Sequence, residues 1–122
     1  MTIFTGTAPS SLYANFLVDL NLKSQDIANN RSVVSYKIYL QSRGGGYPYS
    51  STQYPLKFYI DDVLKVNKTS SYKVPVNGSY TLDSGEITVD HNSDGNKTFN
   101  FSGTFDSHSG QCSISGSYTL KL

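Results

Sequence analysis

TFNFSGTF, Thr98–Phe105, and then CSISGSYTLKL, Cys112–Leu122, are the stretches that decide the fold. Side chains alternate across a β-strand, so Phe99, Phe101 and Phe105 share one face with Gly103, while Thr98, Asn100, Ser102 and Thr104 share the other. The second stretch repeats the pattern. Cys112, Ile114, Gly116, Tyr118, Leu120 and Leu122 point one way, and Ser113, Ser115, Ser117, Thr119 and Lys121 the other. Each segment therefore has a core face and a face of small hydroxyls, the signature of a half-buried antiparallel sheet. Such sheets hold or display things more often than they catalyse.

Working outward, the same period recurs. Asn15–Lys23 places Phe16, Val18, Leu20 and Leu22 inward and Leu17 outward, and Ser24–Arg31 reads as a loop with Ile27 plugging the end of the core. Ser32–Ser42 is the strongest strand, with Val34, Tyr36, Ile38 and Leu40 inward and Tyr39 outward, rich in β-branched and aromatic residues. Arg43–Pro55 reads as an irregular loop, and period 2 resumes at Leu56–Asp61. Asp61–Asp62 is a tight turn with Val63–Val66 as its hairpin partner. Shorter strands are predicted at Tyr72–Val76 and Ser79–Leu82 around the turn dipeptide Asn77–Gly78, and at Glu86–Val89. Met1–Thr7 reads as a short edge strand or an ordered tail.

About eight short strands without helical periodicity need two packed sheets to bury their alternating faces. The expectation is an all-β antiparallel sandwich, immunoglobulin-like or jelly-roll in topology, forming a single domain over residues 1–122. The paired core cysteines and tryptophan of true immunoglobulin domains are missing.

Composition narrows the function classes. Charged residues are 16% of the 122, and the net charge of +1 offers no electrostatic case for nucleic acid or an anionic membrane. No apolar run approaches a membrane span, and no basic-then-apolar leader opens the chain, so no signal peptide is read. Cys112 is the only cysteine; it excludes an internal disulfide and reads as a small core hydrophobe.

Two blocks resemble a known group. DHNSDGNKTFNFSGTF, Asp90–Phe105, with the Ser/Gly-rich last strand, and SQDIANNRSVVSYKIYLQS, Ser24–Ser42, resemble a β-sandwich module of tail, neck or baseplate proteins of siphophages infecting Gram-positive bacteria. The resemblance implies a non-catalytic virion structural module that binds host cell-wall carbohydrate. It implies partners that are host surface polysaccharide, other virion proteins or a second copy, and a protein made in the host cytoplasm for the virion. The alternatives are a decoration or adaptor domain making only protein contacts, and a bacterial surface adhesin domain. No cofactor is expected.

The candidate ligand residues are Arg43, Tyr47, Tyr49, Gln53 and Tyr54, because a sugar stacks its apolar face on an aromatic ring while neighbouring polar groups hold its hydroxyls. Against this stands a structural reading, tyrosines packed over an open edge of the sandwich. Asp90, Asn92 and Asp94 have the spacing of a calcium loop's first half, but Phe101 stands where the bidentate carboxylate belongs. A hairpin turn explains the same residues. His91 and His108 lie in turns with no nucleophile or carboxylate placed beside them by sequence, so catalysis is not expected.

Overall fold

The computed structural model describes residues 2–44 and 48–121. Within them the chain forms β1 (Thr2–Thr5), a 3-10 turn (Ser10–Leu12), β2 (Ala14–Asp26), β3 (Arg31–Ser42), β4 (Tyr49–Ile60), β5 (Val63–Lys73), β6 (Ser79–Asp90), β7 (Asn96–Ser107) and β8 (Gly110–Lys121). The strands make two four-stranded sheets, β1-β2-β3-β6 and β5-β4-β7-β8, antiparallel throughout. This is the expected sandwich. Hairpins join β2 to β3, β4 to β5 and β7 to β8, while β3–β6 and β4–β7 pair strands three apart, as Greek-key returns do.

The opening pattern becomes the core. Phe99, Phe101, Phe105, Cys112, Ile114 and Leu120 are buried against Phe16, Val18, Leu20, Val34, Ile38 and Leu40 of the facing sheet. Aromatic rings bridge the two layers: Phe4 meets Phe101 edge-on at 4.7 Å, and Tyr36 stacks with Phe58 at 5.8 Å. Cys112 has no exposure, and burial pushes its thiol up to about 11. Leu122 lies outside the described residues.

Several expectations change. Leu22 is 44% exposed rather than in the core, because among the described residues β1 pairs only as far as Leu20 and the β2–β3 register slips between Leu22 and Ser24. Ile27, expected as a plug, sits in the β2–β3 turn at 74% exposure. Leu17 and Tyr39, read as outward, do lie on the outer face but are buried there as direct cross-strand partners, with the Lys37 ammonium 4.8 Å above the Tyr39 ring. The Arg43–Pro55 loop is shorter than read, since β4 begins at Tyr49. Pro55 is tolerated because pairing with β7 begins at the next residue, Leu56, leaving β4 only one neighbour there. β5 runs on to Lys73, and the two predicted strands before Asp90 are one, β6, bent by a register shift opposite Ile38 and Tyr39.

Asp61 and Asp62 both take positive φ (47° and 65°), the backbone a two-residue hairpin requires. Asp61 then accepts from the Asn100 N–H at 2.9 Å, which holds its carboxyl below the usual carboxylate range. On the other flank, β5 and β6 are stitched across the sheets by Lys68 and Asp83. Asp83 also accepts from the Tyr36 hydroxyl at 2.7 Å, and Gly85 makes room for that ring, since a Cβ there would lie 3.0 Å from the Tyr36 hydroxyl oxygen.

Burial, and then the bond to Asp83, push the Tyr36 phenol from 10.0 up to about 12. Its folded value exceeds its unfolded one, so its contribution to stability is complete below pH 10 and disappears as pH rises through about 12. Urea midpoints measured across this window should fall with pH, and Tyr36→Phe should flatten the fall. The residual slope comes from Tyr39, Tyr72 and Cys112, whose values burial also raises. An unchanged slope in the variant would remove Tyr36 from the account.

Candidate functional site

Connections gather at the two ends of the sandwich. One end carries the 3-10 turn, the β3–β4 and β5–β6 connections and the β7–β8 turn. There a groove of about 280 Å³ opens, lined by Ser11, Leu12, Tyr13, Pro48, Tyr49, Tyr72, His108 and Ser109.

Its exposed aromatic walls are Tyr13 and Tyr49, at 49% and 58% exposure. Tyr13 follows the 3-10 turn with φ 59°, a left-handed conformation that swings its side chain out of strand alternation before β2 starts. Tyr49 opens β4 just after the buried Pro48, whose carbonyl accepts from the Val74 N–H at 2.8 Å. The floor is Tyr72, buried edge-on against Phe105 at 5.7 Å. Its hydroxyl accepts from the His108 N–H at 3.1 Å, and the Tyr54 hydroxyl lies 3.2 Å from His108 Nδ1. The β7–β8 turn is also held from within: Ser107 Oγ donates to the Gly110 carbonyl and accepts from the Ser109 N–H. No carboxylate, lysine or arginine lines the groove among the described residues. Its chemistry is two accessible rings with hydroxyl, imidazole and backbone partners.

The structure sorts the five residues read from sequence. Tyr49 lines the groove, and Tyr54 sits behind it, half-buried, bonded to His108. Arg43 has a different part: its guanidinium donates to the Pro9 carbonyl at 2.8 Å and its backbone N–H to the Tyr13 carbonyl at 3.0 Å. It clamps both ends of the 3-10 turn that presents Tyr13. Gln53 lies away from the groove and accepts from Thr69 on β5 at 2.7 Å. Tyr47 lies outside the described residues. Sequence reasoning missed Tyr13, His108 and the flanking Ser11 and Ser109. Each belongs to a short turn whose local signal says only that the chain reverses.

The Asp90, Asn92 and Asp94 stretch closes the opposite end of the sandwich. Asp90 faces Arg31 at 3.5 Å, Asp94 accepts from the Asn96 N–H at 2.9 Å, the Asn92 carbonyl accepts from the Gly95 N–H at 2.9 Å, and Gly95 takes φ 86°. These are the bonds of a turn. No group of three or more His, Cys, Asp or Glu side chains that could hold a metal occurs among the described residues. The surprise in this region is His91. It is buried, with Nδ1 at 2.7 Å from the Gly95 carbonyl and Nε2 at 2.6 Å from Ser32 Oγ. A carbonyl only accepts, so Nδ1 carries a proton, and in the neutral imidazole the serine donates to Nε2.

The fold and the groove define an all-β sandwich module with an aromatic groove, free of carboxylate, lysine and arginine among the described residues, at the loops of one end. No helix among the described residues is long and apolar enough to cross a membrane. The chain belongs to the family described as Siphovirus protein of unknown function (DUF859), which it matches over residues 4–121. It has no significant match among curated proteins or solved structures.

Proposed function

We propose that this siphovirus protein is a non-catalytic structural module of the virion, and that the end groove binds host cell-wall carbohydrate of a Gram-positive bacterium. The observation that carries the reading is that two exposed rings, Tyr13 and Tyr49, line one groove in which no carboxylate, lysine or arginine occurs among the described residues. Rings offer stacking surface to the apolar face of a pyranose, and Ser11, Ser109 and His108 supply hydrogen-bonding partners for its hydroxyls. The non-catalytic reading is supported by the burial of the Ser32–His91 pair and by a backbone carbonyl standing where a triad has its carboxylate.

A fluorescent fusion of the domain should label Gram-positive cells in a strain-restricted way that survives protease and is abolished by removing wall polysaccharide. Tyr13→Ala and Tyr49→Ala should each weaken labelling roughly tenfold, the value of one aromatic contact of about 1.4 kcal/mol. Gln53→Ala should leave it unchanged. Salt should matter little, since neutral contacts are poorly screened. Wild-type labelling by both tyrosine variants would sink the groove assignment, and no labelling of any host would favour an adaptor role made of protein contacts alone.

A further inference from the structure

A sandwich of two four-stranded sheets has four edges, and three of them are managed here against stray pairing. β1 is only four residues long. β5 carries Lys65, Lys68 and Lys73, and β6 carries Asp83, Glu86 and Asp90, each in an ion pair. β8 has none of these devices before Lys121: its middle reads Ser115-Gly116-Ser117-Tyr118-Thr119.

The direction of its free backbone groups follows from two contacts. Ser113 exchanges both backbone bonds with Thr7, at 2.7 and 3.0 Å, so its N–H and C=O point away from β7. The Lys121 carbonyl points the same way, accepting from Gln25 Nε2 at 2.6 Å. Backbone direction alternates with the residue in an antiparallel ladder, so Ser115, Ser117 and Thr119 also point outward, and no backbone partner meets them among the described residues.

We propose that Ser115–Thr119 is a self-association edge, on which a second copy of this chain pairs antiparallel about a two-fold axis through Ser117. The sequence is self-complementary about that residue. Ser117 meets itself, Ser115 meets Thr119, and Gly116 meets Tyr118, so small hydroxyls oppose small hydroxyls and the one large ring opposes the residue without a side chain. Three outward residues per copy supply about six backbone hydrogen bonds. Charge agrees with the same axis. On the outward face of β7 and β8 the charged residues are Asp106 at one end and Lys121 at the other, so antiparallel pairing brings opposite signs together.

The contact is short, so association belongs in the range of roughly 10 µM to 1 mM, with display of several copies on one particle raising the effective concentration. Sedimentation equilibrium tests it with three proteins. Wild type should dimerise with concentration, Ser117→Ala should match it because the backbone pairing is intact, and Ser117→Pro should associate at least tenfold more weakly. Proline removes an N–H that has no partner within the monomer, so an edge position tolerates it. Amide exchange of the unaltered protein serves if that variant fails to fold: Ser115, Ser117 and Thr119 should exchange more slowly at high protein concentration. A monomer at every concentration, full dimerisation of Ser117→Pro, or concentration-independent exchange would overturn the proposal.

Discussion

Phe58→Ala should destabilise the domain by about 3–5 kcal/mol, the range for emptying a buried phenylalanine site. That is a fifth or more of the roughly 5–15 kcal/mol that holds an ordinary domain together, so the variant should unfold at a far lower urea concentration. Phe58 is fully buried at mid-sheet, stacked on Tyr36 from the facing sheet and 6.0 Å from Phe101. Its cross-strand neighbour is Gly103, where a Cβ would already lie 3.2 Å from the Phe58 ring. The cavity would therefore face a residue with no side chain to move into it, while the strand ladders hold both sheets apart. Phe58→Leu, which keeps most of the volume, should cost about 1 kcal/mol. Equal losses in the two variants would show that ring packing between the layers is not what Phe58 supplies.

His91→Ala should cost about 2–4 kcal/mol despite lying in a turn. It leaves the fully buried Ser32 hydroxyl without its acceptor, worth about 1–3 kcal/mol, and releases the Gly95 carbonyl from the imidazole. A double-mutant cycle with Ser32→Ala separates these parts. Once the histidine is gone, removing the serine hydroxyl should cost almost nothing, because an unpaired buried hydroxyl goes with it. The expected coupling is at least about 1 kcal/mol, read from urea midpoints. Additive losses would mean the two side chains act independently. Cell labelling at a temperature where the variant stays folded should not change, since the groove is at the other end of the sandwich.

The His91 site also shows where reading the chain stops. Its ligand Ser32 is 59 residues away, on the strand that the β2–β3 hairpin and the β3–β6 pairing carry to it. Nothing local marks it, because a histidine among Asp, Asn and Gly reads as turn chemistry. The groove has the same character. Tyr49 and Tyr54 were legible as aromatics near a Gly/Pro-rich stretch, but Tyr13 and His108, 95 positions apart in the chain, become neighbours only through the sandwich. Arg43 reads in the sequence as a polar group for sugar hydroxyls, and the structure uses it as a clamp on the turn beneath Tyr13.

Period-2 alternation in Phe16–Leu20, Val34–Leu40, Phe99–Phe105 and Cys112–Leu120 was enough to determine an all-β, two-layer protein and most of its core, because that period is a covalent property of extended backbone. The turn dipeptide Asp61–Asp62 determined a hairpin for the same reason: local backbone angles depend on local residues. Tertiary structure alone decided the fate of Leu22, Ile27, Leu17 and Tyr39, whose burial depends on which strand or ring lies over them. It alone decided that β3 pairs with β6 and β4 with β7, and therefore which loops share an end and which edge stays open. Those outcomes come from contacts between residues far apart in the chain, whose energies are summed only when the two sheets close.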